Sequence, residues 1–401
     1  MFVLDNRVQP YAWGTAHAIA ELLGAEPDGS PRAELWIGAH PSAPSTAVPA
    51  GGGAPRALDE VVAADPAGVL GPHRRRDRLG FLLKVLSAAA PLSLQAHPDR
   101  ATAQRRFAEE EAAGVPLDAA HRLYRDDEHK PELLYALEPF AAMAGFRSPA
   151  AARELLAALE LAPLPEPAAA LLAGLLDDLA GADEPAALRA ATARLLTAAP
   201  GAAAPLVAAV AAACRGVDDD SARCVVLLAG HHPGDAGVLV STLLNQVRLS
   251  AGEALYLPAG NVHAYLSGTG VELMASSDNV LRGGLTPKHV DVPELLRVLD
   301  FRVLPPPLLP PRRVSGDEVV FAPGDVDDFA LSVLRVRAGA STTWRRAVPR
   351  SLLCLEGEVR VESATSHVVL PRGGSAFATA GEHPLRVSGE GLLAAAAPGG
   401  A

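Results

Sequence analysis

Between Ser148 and about Arg215 the chain changes texture, and that change limits the folds open to it. Within the block, alanines and leucines recur at three- and four-residue spacings, the mark of amphipathic helices. Ser148-Pro149 supplies an N-cap with proline at the first helical position, so a helix is expected from there through Glu160. Further helices are expected at 166–180, 184–197 and 203–214, separated by Pro or Gly. Before the block lie short strand-like runs at 10–14, 33–38 and 81–85, a flexible Gly51-Gly52-Gly53 loop, and a charged surface helix expected over 100–113. Strand character returns after Asn245 and, past a proline-rich linker from Leu304 to Arg312, again from Val319 to Leu393. The expected fold is mainly β with an α-helical insert. It comprises a β domain in two parts (1–147 and 226–304), a helical domain (148–225), and a C-terminal β-sandwich domain (305–401).

Charge and cysteine content narrow the function. With 46 acidic against 35 basic residues the formal net charge is −11, which disfavours nucleic acid or an anionic membrane as a partner. The basic run Arg74-Arg75-Arg76 with Arg78 is interrupted by Asp77 and reads as a solvated loop. An anionic substrate would therefore need cations gathered locally. Cys214, Cys224 and Cys354 are scattered without a C-x-x-C spacing, which argues against a disulfide framework or a thiolate zinc site. Met1 to Pro10 carries no signal-peptide pattern, and no apolar run reaches the length of a membrane span. The expectation is a cytoplasmic monomer, with a weak homodimer as the alternative.

Chemistry enters at Pro91-Leu92-Ser93-Leu94-Gln95-Ala96-His97-Pro98-Asp99. Leu92, Leu94 and Ala96 alternate with Ser93, Gln95 and His97, a strand period that puts the three polar residues on one face. An amide oxygen and an imidazole two residues apart can share a metal ion. In Glu128-His129-Lys130-Pro131-Glu132, Pro131 biases Lys130 towards an extended conformation. Lys130 and Glu132 then share a face and His129 points the other way. Glu132 is the better ligand, with Lys130 beside it as a substrate contact.

A third segment, Gly252 to His263, has the G-x₅-P-x-G-x₂-H pattern of the cupin superfamily, whose glycines permit a tight hairpin that aims the histidine inward. The cupin pattern continues x₃-N, and here that position is Ser267. A degenerate copy at Gly373 to His383 has no second ligand nearby, so His383 is read as structural. Gln95, His97, Glu132 and His263 together offer two nitrogens and two oxygens, a set suited to one Zn²⁺ per chain with a position left open. Ser276 to Lys288 adds Asp278, Arg282 and Gly283-Gly284 one hairpin later, where it can close the same pocket.

These segments resemble the type I mannose-6-phosphate isomerases. The resemblance rests on Tyr11-Ala12-Trp13-Gly14, Ala33 to Pro41, Phe81 to Lys84, Ser93 to Pro98, His129 to Glu132, Pro258 to Tyr265 and Ser277 to Lys288, in that order. It covers roughly the first 290 residues, and the C-terminal hundred match only in style. It implies a cupin (jelly-roll β-sandwich) catalytic domain, a helical domain and a C-terminal jelly-roll-like β domain. It further implies a zinc site of Gln95, His97, Glu132 and His263, and interconversion of mannose 6-phosphate and fructose 6-phosphate through a cis-enediol. On that reading Arg282 stabilises enediolate charge, and Lys84, Lys130 and Ser93 contact phosphate or sugar hydroxyls. The base is Asp278, His129 or Lys130. Two alternatives are a cupin metalloenzyme of dioxygenase type, which usually favours three histidines and a Glu with iron, and a non-catalytic sugar-binding regulator.

Overall fold

The computed structural model describes every residue except His73, Arg75 and Ala401. Arg75 of the basic run thus lies outside the described residues. Two antiparallel sheets dominate, one of ten strands and one of eleven. The ten-stranded sheet holds the strands Phe81–Ala88, Glu132–Ala136, Phe140–Phe146 and His263–Ala275. His263–Ala275 is its axis: over its length it pairs with Phe81–Ala88, Glu132–Ala136, Phe140–Phe146 and Gln95–Ala96.

The helical block forms as its periodicity requires, with helices Pro149–Ala158, Glu166–Asp178, Glu184–Leu196 and Pro200–Ala213. It runs further than expected, however. Asp220–His231, capped by Asp219, and the short Gly237–Val240 extend it well past residue 225. No single helix among the described residues is long and apolar enough to cross a membrane.

A second correction concerns the boundary at 305. The eleven-stranded sheet is built around Arg350–Glu362 and Leu385–Ala397, yet it also contains Phe2–Asp5 and Thr46–Pro49. Phe2 lies opposite Phe377 and Val3 opposite Ala376. The N-terminal strand therefore completes the C-terminal sheet. One apolar core, including Leu35, Leu83, Val271, Leu331 and Phe377, runs continuously between the two sheets.

The helical domain builds the floor of the site. Leu94, Ala96, Val262, Ala264 and Leu281 share one core with Leu175, Leu188, Leu206 and Val225 of the helices. Alternation then turns Gln95, His263 and Arg282 to the opposite face. The predicted strand over 92–97 is reduced to Gln95–Ala96, because Pro91 and Pro98 bracket it, it meets only the end of His263–Ala275, and its other partner, Leu281–Arg282, is short. The flanks stay tethered: Leu92 N–H bonds to Tyr265 O (2.9 Å) and Leu94 N–H to Gly284 O (3.1 Å).

Candidate active site

His97, Glu132 and His263 converge from three segments, each no more than 2% exposed. His97 Nε2 lies 3.3 Å from Glu132 Oε1 and His263 Nε2 3.4 Å from Glu132 Oε2. One donor atom from each lies within 4.8 Å of the others. The tautomers follow from their neighbours. His97 Nδ1 is 2.8 Å from Asn279 O and His263 Nδ1 is 3.0 Å from Asn261 O. A carbonyl only accepts, so each Nδ1 carries the hydrogen and each Nε2 turns a lone pair to the common point. His97 Nε2, His263 Nε2 and Glu132 Oε2 are buried without a hydrogen-bond partner. Three such orphaned donors aimed at one spot are costly unless a cation satisfies them, and the set fits a divalent metal.

The hairpin that delivers His263 needs its glycine. Gly260 has φ +78°, and a Cβ there would stand 2.9 Å from Val298 O. Its N–H bonds to His97 O (2.9 Å), which ties the two histidine segments together.

Burial pushes the His97 imidazole down to about 4, with Glu132 opposing. Burial alone would raise Glu132, but Lys130 and His97 outweigh it and hold the carboxyl well below its usual range. Lys130 Nζ is 2.9 Å from Glu132 Oε1. His129 is not brought to this cluster: its ring faces the other way, 3.0 Å from Asp328 Oδ2 and in contact with Arg100.

Gln95 pairs directly with His263 on one side and with Arg282 on the other. Opposed residues share a face, so Arg282, Gln95 and His263 form one row across three strands. Ser93, half-buried, precedes Gln95 by one strand period. Arg282 is crowded by cations: burial and then Arg125 lower its affinity for a proton. Burial, Arg282 and Arg125 do the same to Lys288. Among the described residues, none of these three has a carboxylate within ion-pair distance. Arg282 is half-buried and Arg125 and Lys288 are exposed, and uncompensated cations gathered in this way attract an anion.

Lys84 sits differently from the expectation of a substrate contact. It is 3.1 Å from Glu272 Oε2 and 3.6 Å from Glu34 Oε1, with Trp36 beneath it at 5.0 Å. Burial would strip its proton, but Glu272 and Glu34 keep it firmly charged. Burial raises Glu272, with Lys84 opposing. This group lies under the metal cluster and neutralises charge there.

Asp278 stands at the mouth, 3.6 Å from His40 Nε2 and 3.3 Å from Ser42 Oγ. His40 Nδ1 accepts from Ser42 N–H (3.3 Å), so Nε2 carries the hydrogen that faces Asp278. The fully buried Asn279 locks this loop to residues 125–128: Oδ1 accepts from Arg125 N–H (2.7 Å), and Nδ2 donates to the carbonyls of Asp126 and Glu128 (both 2.8 Å). Sequence reasoning missed Arg125, Glu272 and His40. Glu272 carried a usable signal, an acid at an inward position of an apolar strand, whereas Arg125 carried none.

Comparison with known proteins agrees with this geometry. The profile of the phosphomannose isomerase type I catalytic domain matches residues 1–149. The chain is 39% identical to the mannose-6-phosphate isomerase of Escherichia coli (strain K12) over 98% of both chains. It is 32% identical to that of Bos taurus over 95% of this chain and 94% of the other. A crystal structure of mannose 6-phosphate isomerase from Salmonella typhimurium bound to fructose 6-phosphate and zinc superposes with a TM-score of 0.88 at 38% identity, covering 100% of this chain and 99% of that one. From its orphaned metal donors to its full-length likeness to these enzymes, the chain belongs to the type I mannose-6-phosphate isomerase family.

Proposed function

We infer that this chain is a zinc-dependent aldose–ketose isomerase that interconverts mannose 6-phosphate and fructose 6-phosphate. The observation that carries the reading is the row His263–Gln95–Arg282, with orphaned metal donors at one end and uncompensated cations at the other. His97, Glu132 and His263, with the Gln95 amide oxygen as fourth donor, are proposed to hold the zinc. When bound, it supplies a Lewis acid that polarises the sugar's carbonyl and hydroxyl oxygens. Arg282, Arg125 and Lys288 are proposed to take the phosphate. This revises the enediolate role expected for Arg282, because two strand spacings separate it from His263 by about 10 Å. An extended hexose phosphate has its carbonyl and phosphate at opposite ends, which suits that separation.

The conversion through a cis-enediol moves a proton from C2 to C1 and a hydroxyl proton from O2 to O1. Asp278, steadied by the His40 N–H and Ser42, is proposed to carry the carbon-bound proton. Lys130 is proposed to meet developing charge on the sugar oxygens as an ammonium. His129 has no part in this proposal. Ser93 is proposed to bond a sugar hydroxyl, and Lys84 to balance charge beneath the metal rather than touch substrate. A coupled assay on mannose 6-phosphate tests the whole: turnover should vanish with a strong chelator and return with zinc. Full turnover by demonstrably metal-free protein would reject it.

A further inference from the structure

Beside Glu128 lies a second cavity of about 330 Å³, walled partly by Phe81, Ala275 and Ser276 at the ends of ten-stranded-sheet strands and partly by the C-terminal β unit. Among its described lining residues, none belongs to the metal cluster or to the Arg282 cation group. Arg74, Arg76, Arg78, Arg100 and Arg346 line it against three carboxylates, Glu128, Asp327 and Asp328. In a chain whose net charge is −11, this wall concentrates five guanidinium groups, balanced by the lining carboxylates together with Asp77 and Asp127. Its carboxylates are shared rather than matched. Glu128 serves Arg76 (2.8 Å), Arg78 (3.2 Å) and Arg100 (2.6 Å), Arg76 and Arg78 also share Asp127 (2.8 and 3.3 Å), Arg100 also pairs with Asp328 (2.8 Å), and Arg74 pairs with Asp77 (2.9 Å). Arg346 is held by the carbonyls of Pro398 and Gly399, each at 3.2 Å, and has no carboxylate partner among the described residues. Each guanidinium has five N–H donors, so many stay free. The rest of the wall is apolar, with Leu70, Leu79, Phe81, Val348 and Pro398.

We propose that this cavity binds a small phosphorylated metabolite with a ring or other apolar body, independently of the catalytic cleft. Arginine forks from both units grip the phosphate bidentately, and the apolar wall covers the body. The wall adjoins the chemistry. Glu128 O accepts from Asn279 Nδ2, and Asn279 O accepts from His97 Nδ1, both at 2.8 Å. The cavity and a metal ligand thus share one hydrogen-bonded loop.

The test is calorimetric titration of the zinc-loaded enzyme with adenosine monophosphate, in the presence of a saturating equilibrium mixture of the two sugar phosphates. The heat is read independently of turnover. One saturable site per chain is expected, weakened at least about tenfold by Arg346→Ala and by Arg78→Ala, the loss of one charge-assisted contact. Both variants should keep wild-type kinetics without the nucleotide. Adenosine and inorganic phosphate, titrated separately, should each bind more weakly than the monophosphate. The proposal is overturned if the monophosphate and inorganic phosphate both give no saturable heat at millimolar concentration, or if the sugar phosphates displace the nucleotide. It falls equally if neither variant weakens binding, or if adenosine binds as tightly as its monophosphate.

Discussion

Replacing Arg282 with alanine separates the two tasks its chemistry allows. Arg282 is not a candidate zinc ligand, so Arg282→Ala should retain metal. Its guanidinium is half-buried, opposed by Arg125 and without an anionic partner among the described residues. A phosphate dianion would relieve that repulsion and accept charge-assisted hydrogen bonds, each worth about 1.5–3 kcal/mol. Losing one such contact corresponds to about 10- to 150-fold in affinity. The expected result is a rise of that size in the KM for mannose 6-phosphate, with kcat near wild type. The inhibition constant of inorganic phosphate should rise by a similar factor, because that ion needs the same cations and none of the sugar contacts. Steady-state kinetics with phosphate as a competitive inhibitor measure both. A fall in kcat of about 10²–10³ with phosphate inhibition unchanged would refute the reasoning, since that pattern belongs to a donor acting only in the transition state.

Three further outcomes are expected. His263→Ala should lose zinc and activity together, and metal analysis showing stoichiometric zinc in the variant would reject its role as a ligand. His383→Ala should turn over normally, since His383 Nε2 donates to Val348 O (2.8 Å) within the C-terminal sheet unit and touches none of the metal donors; a folded, zinc-loaded but inactive variant would contradict this. Asp328 controls part of the acid stability. Burial would raise its carboxyl, but His129 and Arg100 outweigh burial and hold it below the ordinary value. Its folded value is depressed, so the stabilisation is present above about 3.9, the unfolded value, and is lost as pH falls through the folded one. The melting temperature of wild type should therefore drop more steeply below about pH 4 than that of Asp328→Asn, and parallel slopes would count against the ion pair.

Much of the site was legible because local geometry decides it. The alternation at Leu92 to His97 states which face each side chain takes, whatever the neighbours are. Pro131 biases the chain towards the extended form that sends Lys130 and Glu132 one way and His129 the other, where His129 meets Asp328 and Arg100. Gly260 stands where only a glycine fits a positive φ against Val298 O, so the spacing to His263 announces a hairpin. Helix positions were legible from their caps, such as Ser148 accepting from Ala151 N–H. The Asp219-capped helix carries the same kind of cap, Asp219 accepting from Ala222 N–H, and went unread.

By itself, then, the sequence determined that His97, Glu132 and His263 belong together, the order of β and helical segments, and the family. Each of these is written in spacings of a few residues. Only the tertiary structure decided what pairs with what. Phe2–Asp5 joins the C-terminal sheet because its partner strand, Ser375–Ala378, is supplied by folding and not by its neighbours in the chain. Lys84 is engaged by Glu272 and Glu34, while Arg282, also a site candidate in the sequence, is left with Arg125 and Lys288 and no anion among the described residues. A charge's role depends on which other charges burial brings within a few ångströms, and that distance is set by the packing of sheets and helices rather than by position along the chain.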